Sequence, residues 1–268
     1  MADVIFNPNE LVLEKVRSVE EYDLETLELI GRYTQIENPS LETSADGTDV
    51  TDAMGSVITT FYNAQTGTFS FDNSLFSLDL AASQFGTKKE VATTDNKIVV
   101  PVSETITVSA DHKAVLKYVP VGTPSAEIKY VKVINGDNTF GKTYELGVTA
   151  TDNKFTLDAG TKTITLPDDV TGRVFVDYER ESEKAVKVTK TTDSIPEVKM
   201  LKINVLFHPV CNTNQSIAGV IVCPRAQIDP SSVQLNLTSD GKHSASYMLK
   251  KDYCSEEGKL FDIICTQD

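Results

Sequence analysis

The stretch at residues 52–86, DAMGSVITTFYNAQTGTFSFDNSLFSLDLAASQFG, most constrains the fold, because it asks for two strands and one helix in a short span. Val57, Ile58, Thr59, Thr60, Phe61 and Tyr62 are β-branched or aromatic, as a strand requires. Residues 63–67 are turn formers. Phe69 and Phe71 sit two apart, which places both rings on one face of a second strand. Asn73 then reads as an N-cap, its side-chain oxygen free to accept an amide of a helix's first turn. Leu75, Leu78, Ala82 and Phe85 follow at steps of three, four and three, an apolar stripe that predicts a helix over residues 73–85. Gly86 can take the left-handed conformation that ends it. The expected centre is a twisted sheet with one helix lying on it.

A chain of 268 residues, 40% of them hydrophobic, can bury a sizeable core in one large or two modest domains. No run approaches the ~18 apolar residues of a membrane helix. The opening MADVIFNPNE has no basic flank and no apolar segment of the kind a secretory signal carries. Four cysteines are too few for a disulfide scaffold, so a reducing compartment is the default. The net charge of −14 is unevenly placed. Residues 1–52 hold thirteen carboxylates against three bases, a surplus of ten. Such a surface repels phosphate backbones and argues against ordinary nucleic-acid binding. It reads either as a solvated acidic face or as a surface that must not stick to DNA passing close by.

Residues 11–36 fit a β-hairpin with a charged centre, although Leu13, Val16 and Val19 also allow a helical first arm. Residues 37–52, polar and acidic with Pro39 and Gly47, read as a long loop, a length that is usually functional or disordered. Asp46, Asp49 and Asp52 are its candidate interface charges. Residues 97–110 alternate as a strand. From residue 114 to 190, seven short alternating runs separated by turn signals suggest a small antiparallel, immunoglobulin-like sandwich, inserted or appended. The expected organisation is therefore a first part over residues 1–113, the module over 114–190, and closing strands over 191–268. VQLNLTSDGKHSASYMLKKDYC in the last part reads as a hairpin turning at Ser239, Asp240 and Gly241. The closing strands are expected to rejoin the sheet begun at residues 57–71.

Gly136 to Thr143, GDNTFGKT, matches the P-loop pattern. That chemistry needs the motif to open a helix after a strand. YELGVTATDN comes next instead, and no crossover helix is present to build a parallel sheet. Asp137 would also place a carboxylate in a phosphate cradle. A hairpin turn is the expected structure, and no cofactor is called for. Cys211, Cys223, Cys254 and Cys265 lack the paired spacing of a zinc site, with Cys223 and Cys265 expected as core residues in apolar strands. No G-x-S-x-G elbow accompanies His112, His208 and His243, and no catalytic residue can be named. Asn214 and Asn236 match glycosylation sequons without a secretory context.

Three segments together resemble the major tail tube proteins of tailed bacteriophages. They are the hairpin candidate with its acidic loop NPSLETSADGTDVTDAMG, the strand–strand–helix unit SVITTFYNAQTGTFSFDNSLFSLDLAASQFG, and the closing AGVIVCPRAQIDPSSVQLNLTSDGKHSASYMLKKDYCSEEGKLFDIICTQD. The likeness is one of layout and covers roughly two thirds of the chain; residues 114–190 depart from a minimal tube protein and would be an outward-facing insertion. It implies a mainly β fold, an antiparallel β-sandwich or barrel with one flanking helix plus the inserted sandwich. It implies a non-enzymatic virion protein, made in the bacterial host cytoplasm. Six copies would close a ring whose sheets join into one inner barrel, and rings would stack into a tail tube that conducts DNA during ejection without binding it specifically. Other tail proteins (tip, terminator, sheath) would be its partners, with no membrane role. The 37–52 loop would bridge subunits or rings. A capsid decoration protein or a fibre-associated adhesion module is the rival reading.

Overall fold

A computed structural model describes residues 7, 9–124, 126–210, 215–239, 241–253 and 258–266. The chain is mainly β, with antiparallel sheets and a single helix among the described residues. It divides into two compact units, residues 1–89 with 188–268 and, inserted between them, residues 90–187. No helix among the described residues is long and apolar enough to cross a membrane.

The first unit begins with β1 (Leu11–Tyr22) and β2 (Leu29–Tyr33), the hairpin rather than the helix. Asp23 makes its turn, its Oδ1 accepting the amides of Glu25 and Thr26, both at 2.9 Å. The next residues depart from expectation. The presumed loop is β3 (Ile36–Ser44) and β4 (Gly47–Thr51), followed by β5 (Val57–Tyr62) and β6 (Thr66–Asn73). β3 pairs with β6, and β4 with β5. Polar Ser, Thr and Glu residues form β3 because it lies at the end of its sheet, and Pro39 falls at the break in register between Glu37 and Ser40. β4 and β5 form a separate two-stranded sheet.

The helix α1 (Leu78–Phe85) is shorter than predicted. Its N-cap is Ser77, whose hydroxyl accepts the Leu80 amide, because Asn73 is committed to the sheet opposite His243 and Ile36. The predicted stripe is also displaced. Leu75 and Leu78 are exposed, and the buried residues are Leu80, Ala81, Ala82, Ser83 and Gln84. Ser83 and Gln84 can be buried because both find hydrogen-bond partners across the sheet.

Gly86 ends the helix at φ +67°, as its position predicts. A Cβ there would lie 2.2 Å from the Ile195 carbonyl oxygen. Gly86→Ala is therefore expected to destabilise the unit by at least about 2 kcal/mol, combining αL strain with a backbone clash. The check is the urea midpoint at unchanged m-value; a loss below about 0.5 kcal/mol would show that the backbone yields freely there.

The second unit contains β7 (Glu90–Val91), β8 (Ile98–Thr107), β9 (Lys113–Val115), β10 (Tyr130–Ile134), β11 (Phe140–Leu146), β12 (Lys154–Asp158), β13 (Thr163–Thr165), β14 (Arg173–Ser182) and β15 (Val186–Lys187). Its main sheet has the order β8-β14-β10-β11-β12-β13-β9, antiparallel except for the β11–β12 pair. Its core is Ile128, Val131, Phe155, Ile164, Val174 and Val176 with their neighbours. The division at residue 114 is corrected to residue 90, since β8 shares an unbroken ladder with β14 from Ile98↔Ser182 to Thr107↔Arg173.

The first unit resumes with β16 (Val198–Pro209), β17 (Ile217–Ile228), β18 (His243–Leu249) and β19 (Asp262–Thr266). These return to the first sheet, in the order β2-β1-β16-β17-β18-β6-β3, with β19 on a second stretch of β17. The two ends of that path, β2 and β3, are separated by only two residues, so the sheet curls nearly closed. Residues 233–237, expected as the first arm of a hairpin with β18, form no strand. There Asn236 accepts the Thr238 amide and hydroxyl in a local turn, and β18 pairs with β6 instead. Asp240 lies outside the described residues. Inside the curl, Phe69 and Phe71 share the buried face as predicted, with Phe69–Phe71 at 5.6 Å, Phe71–Tyr33 at 5.9 Å and Phe71–Tyr247 at 6.2 Å between ring centroids.

Candidate assembly surface

Half of the large sheet extends as a four-stranded piece in the order β1, β16, β17, β19. β2 covers β1 only at residues 19–22, so the outer edge of residues 11–18 has no strand against it among the described residues. Among the described residues, β19 pairs with β17 alone. Every pairing is antiparallel, so the two free edges run in opposite chain directions. Both edges expose apolar side chains: Val12, Leu13, Ile263 and Ile264 are each more than half exposed, with Glu14, Lys15 and Arg17 following on the β1 edge. Long exposed apolar edges are templates for further strands, and monomeric proteins usually blunt them with charge or proline.

One face of this piece packs into the core through Val19, Leu201, Ile203, Val205, Ile217 and Cys223. The other presents Glu20, Lys202, Asn204, Val220 and Ile264, which alternate with them. It carries charges of both signs: Arg32 pairs with Glu20 at 3.3 Å, Lys15 and His208 with Glu14, and Lys259 with Asp262, while Lys202 lies over the Tyr22 ring. Glu14 raises the pKa of His208 above the ordinary histidine value. Glu14 and Glu20 apart, acids of the first fifth lie elsewhere, among them those of the Asp23 turn and the β4–β5 hairpin.

That hairpin is a projecting arm. It is hydrogen-bonded to no other strand among the described residues, and an isolated two-stranded sheet is marginal in water. Val57 and Phe61 point to one face, Ile58 and Tyr62 to the other, and all are exposed. Met54 at the tip is 92% exposed. The three predicted loop charges lie on this arm, with structural tasks of their own. The Asp46 carbonyl accepts the Asn63 amide at the base, Asp49 accepts the Thr60 hydroxyl across the strands at 2.6 Å, and Asp52 takes the Met54 and Ser56 amides to shape the tip.

Beneath α1 lies a polar cluster that no local pattern announces. Glu21 is fully buried. Its carboxylate accepts from Tyr33 at 3.0 Å, Ser83 at 2.5 Å, Tyr247, and Lys199 at 3.4 Å. Lys199, 9% exposed at its side chain, also donates to Ser83 at 2.5 Å. Burial first, and then the Glu21 charge, push both tyrosine pKa values up, so the phenols stay protonated donors. A serine beside a lysine suggests a nucleophile and its base, but the directions are wrong. Lys199 donates to Ser83 instead of accepting from it, and Ser83 spends its proton on Glu21. The cluster fastens the helix to the sheet. The adjoining cavity, about 130 Å³, is lined by Ser83, Gly86, Thr87, Glu197 and Lys199, with Thr87 Oγ1 buried and without a hydrogen-bond partner among the described residues, and has room for ordered water.

The P-loop match folds as the turn of the β10–β11 hairpin, with Asn138 at φ +65° and Asp137 accepting the Thr139 amide. Lys142 lies over the Tyr144 ring in a strand, away from any helix start. His112 contacts the Val170 carbonyl, His208 contacts Glu14, and His243 is buried under α1. Cys223 is buried, whereas Cys265, expected in the core, is only partly covered because β19 lies at an edge; Cys211, Cys254 and Asn214 lie outside the described residues. No protein-family model matches the chain, and no curated protein matches it.

Proposed function

We propose that this protein is a non-enzymatic virion component that self-assembles head to tail into rings and a stacked tube, as in the tail tube of a bacteriophage. The observation that carries the reading is the four-stranded piece with two free edges of opposite chain direction, each exposing a pair of apolar side chains. β19 of one copy can pair with residues 11–18 of the next, and the joint is again antiparallel, so the same step repeats around a ring. Such a joint is heterologous, and it closes or propagates according to the rotation per copy. Closure abolishes the edges, as in any barrel.

The arm supports the same reading. Its two apolar faces and three aspartates suit insertion against a neighbouring copy, and burial there would supply what the isolated hairpin lacks. The face opposite the core, where acids and bases are interspersed and most are paired, is the candidate lumen wall. A wall with no continuous basic field lets a phosphate backbone pass without condensing on it. The tip, terminator and sheath partners, and location in the virion, follow only if this reading holds.

The test is negative-stain electron microscopy of the purified protein at high concentration. Hollow rods or closed rings are expected. Monodisperse single copies at every concentration, with no rods on addition of preformed tube seeds, would overturn the reading in favour of a decoration or adhesion protein, which binding to capsids would then identify.

A further inference from the structure

His243 sits at the start of β18, opposite Asn73 of β6, and is 3% exposed. Its ring lies flat against Phe76, with centroids 5.0 Å apart and planes 15° from parallel. The tautomer is set by the neighbours. Gln84 Nε2 donates to the Ser244 carbonyl at 2.7 Å, so Gln84 Oε1 faces the imidazole and must accept from Nε2–H at 2.8 Å. Nδ1 therefore keeps its lone pair and accepts the Ser77 amide at 3.3 Å. Ser77 is the N-cap of α1 and Gln84 lies in its last turn, so one neutral ring holds both ends of the helix.

We propose that His243 is an acid-sensitive latch: protonation at Nδ1 expels the Ser77 amide and releases the N-terminal turn of α1. A proton on Nδ1 sets donor against donor. It also places positive charge beside a helix N-terminus, which already carries about half a positive charge. The ring's partners Phe76, Ser77 and Gln84, and Asn73 opposite it in the ladder, are all uncharged. The charged groups on the packed elements have partners of their own. Glu37 of β3 binds Lys242 and Ser74, Asp72 of β6 binds Ser244 and Asn38, and Asp79 of α1 binds Lys89. Burial alone lowers the His243 pKa below the ordinary 6.5. The unfolded chain thus takes up this proton first. Stability from the neutral ring is complete above about pH 6.5 and declines as pH falls toward the lowered value. The Ser83 contact to Glu21 and Lys199 holds the other end of α1, so the opening is local. It frees the turn bearing Leu75 and Phe76, each 59% exposed already.

The experiment is amide hydrogen exchange, corrected for intrinsic pH dependence, on the full chain between about pH 7.5 and pH 5. Protection at Ser77, Leu80 and Ala81 is expected to fall by at least about tenfold on acidification, while β16 and β17 hold theirs. In His243→Asn, whose amide oxygen can accept from Ser77 at every pH, the fall is expected to vanish. Unchanged protection in the wild type, or an equal fall in the variant, would overturn the latch. If the variant fails to fold, nitrogen chemical shifts of the wild-type imidazole decide: protonation of Nδ1 must coincide with the shift of the Ser77 amide, and titration of the one without the other sinks the proposal.

Discussion

Lys199→Met is expected to cost about 3–5 kcal/mol, because it strands the Glu21 carboxylate, fully buried, without its cation. The remaining donors, Tyr33, Ser83 and Tyr247, are neutral and cannot replace a charge. The double variant Glu21→Gln, Lys199→Met removes both charges and keeps an amide oxygen to accept from Tyr33 and Ser83, while its NH2 can donate to the Tyr247 hydroxyl. It is expected to recover most of the loss, since replacing a whole buried pair by neutral groups is often close to neutral. Denaturant unfolding of the four members of the cycle checks this, and the coupling energy should exceed about 1 kcal/mol. A Lys199→Met loss under about 1 kcal/mol would mean that water from the adjoining cavity reaches Glu21 and screens it.

Placing lysines on the β19 edge, Ile263→Lys with Ile264→Lys, is expected to abolish rods and rings while leaving the subunit folded. Both side chains are exposed, so the change in subunit stability should stay within about 0.5 kcal/mol. Lysine on an edge strand is the device by which proteins block unwanted pairing. The mirror variant, Val12→Glu with Leu13→Glu, should fail in the same way. Mixed together, the two should co-assemble alternately. Every second joint then sets lysine against glutamate, and the others keep both native edges. Light scattering of each variant and of the mixture reads this out. Rods from either variant alone would show that these edges are not the joint. Failure of the mixture, with both variants folded, would show that pairing across them is not the repeated step.

Much of the fold was legible wherever local chemistry decided the matter. Residues 57–62 are β-branched and aromatic and became β5. Phe69 and Phe71 met on one buried face. Gly86 closed the helix because only glycine tolerates the turn and the Ile195 carbonyl beside it. The P-loop match fails as a phosphate cradle because strand-forming residues, not a helix, succeed it, and the structure places a hairpin there. Other segments misled for a common reason. β3 and β4 are polar and carry no periodicity, so they read as a loop. They are strands because β6 and β5 supply ladders to them. Residues 233–237 alternate as a strand should, yet β18 takes β6 as its partner and leaves them unpaired. The unit boundary moved to residue 90 because β8 is bound by β14, some seventy residues later.

The candidate site divides in the same way. The arm was visible as an acidic stretch with Asp46, Asp49 and Asp52, though not as a hairpin. The free edges were invisible, since an edge is defined by the strand that fails to arrive. Composition and alternation by themselves determined that this chain builds antiparallel β-structure with one helix, a soft insertion in the middle and an acidic N-terminal fifth. They act through neighbours along the chain, where strand and helix periods are set. Only the tertiary structure decided which strands pair, which edges stay open, and that Glu21, Lys199, Tyr33, Ser83 and Tyr247 share one buried cluster. Those choices join residues up to 226 positions apart. Their energy comes from ladder partners and from desolvated charge, neither of which exists until the sheet has curled.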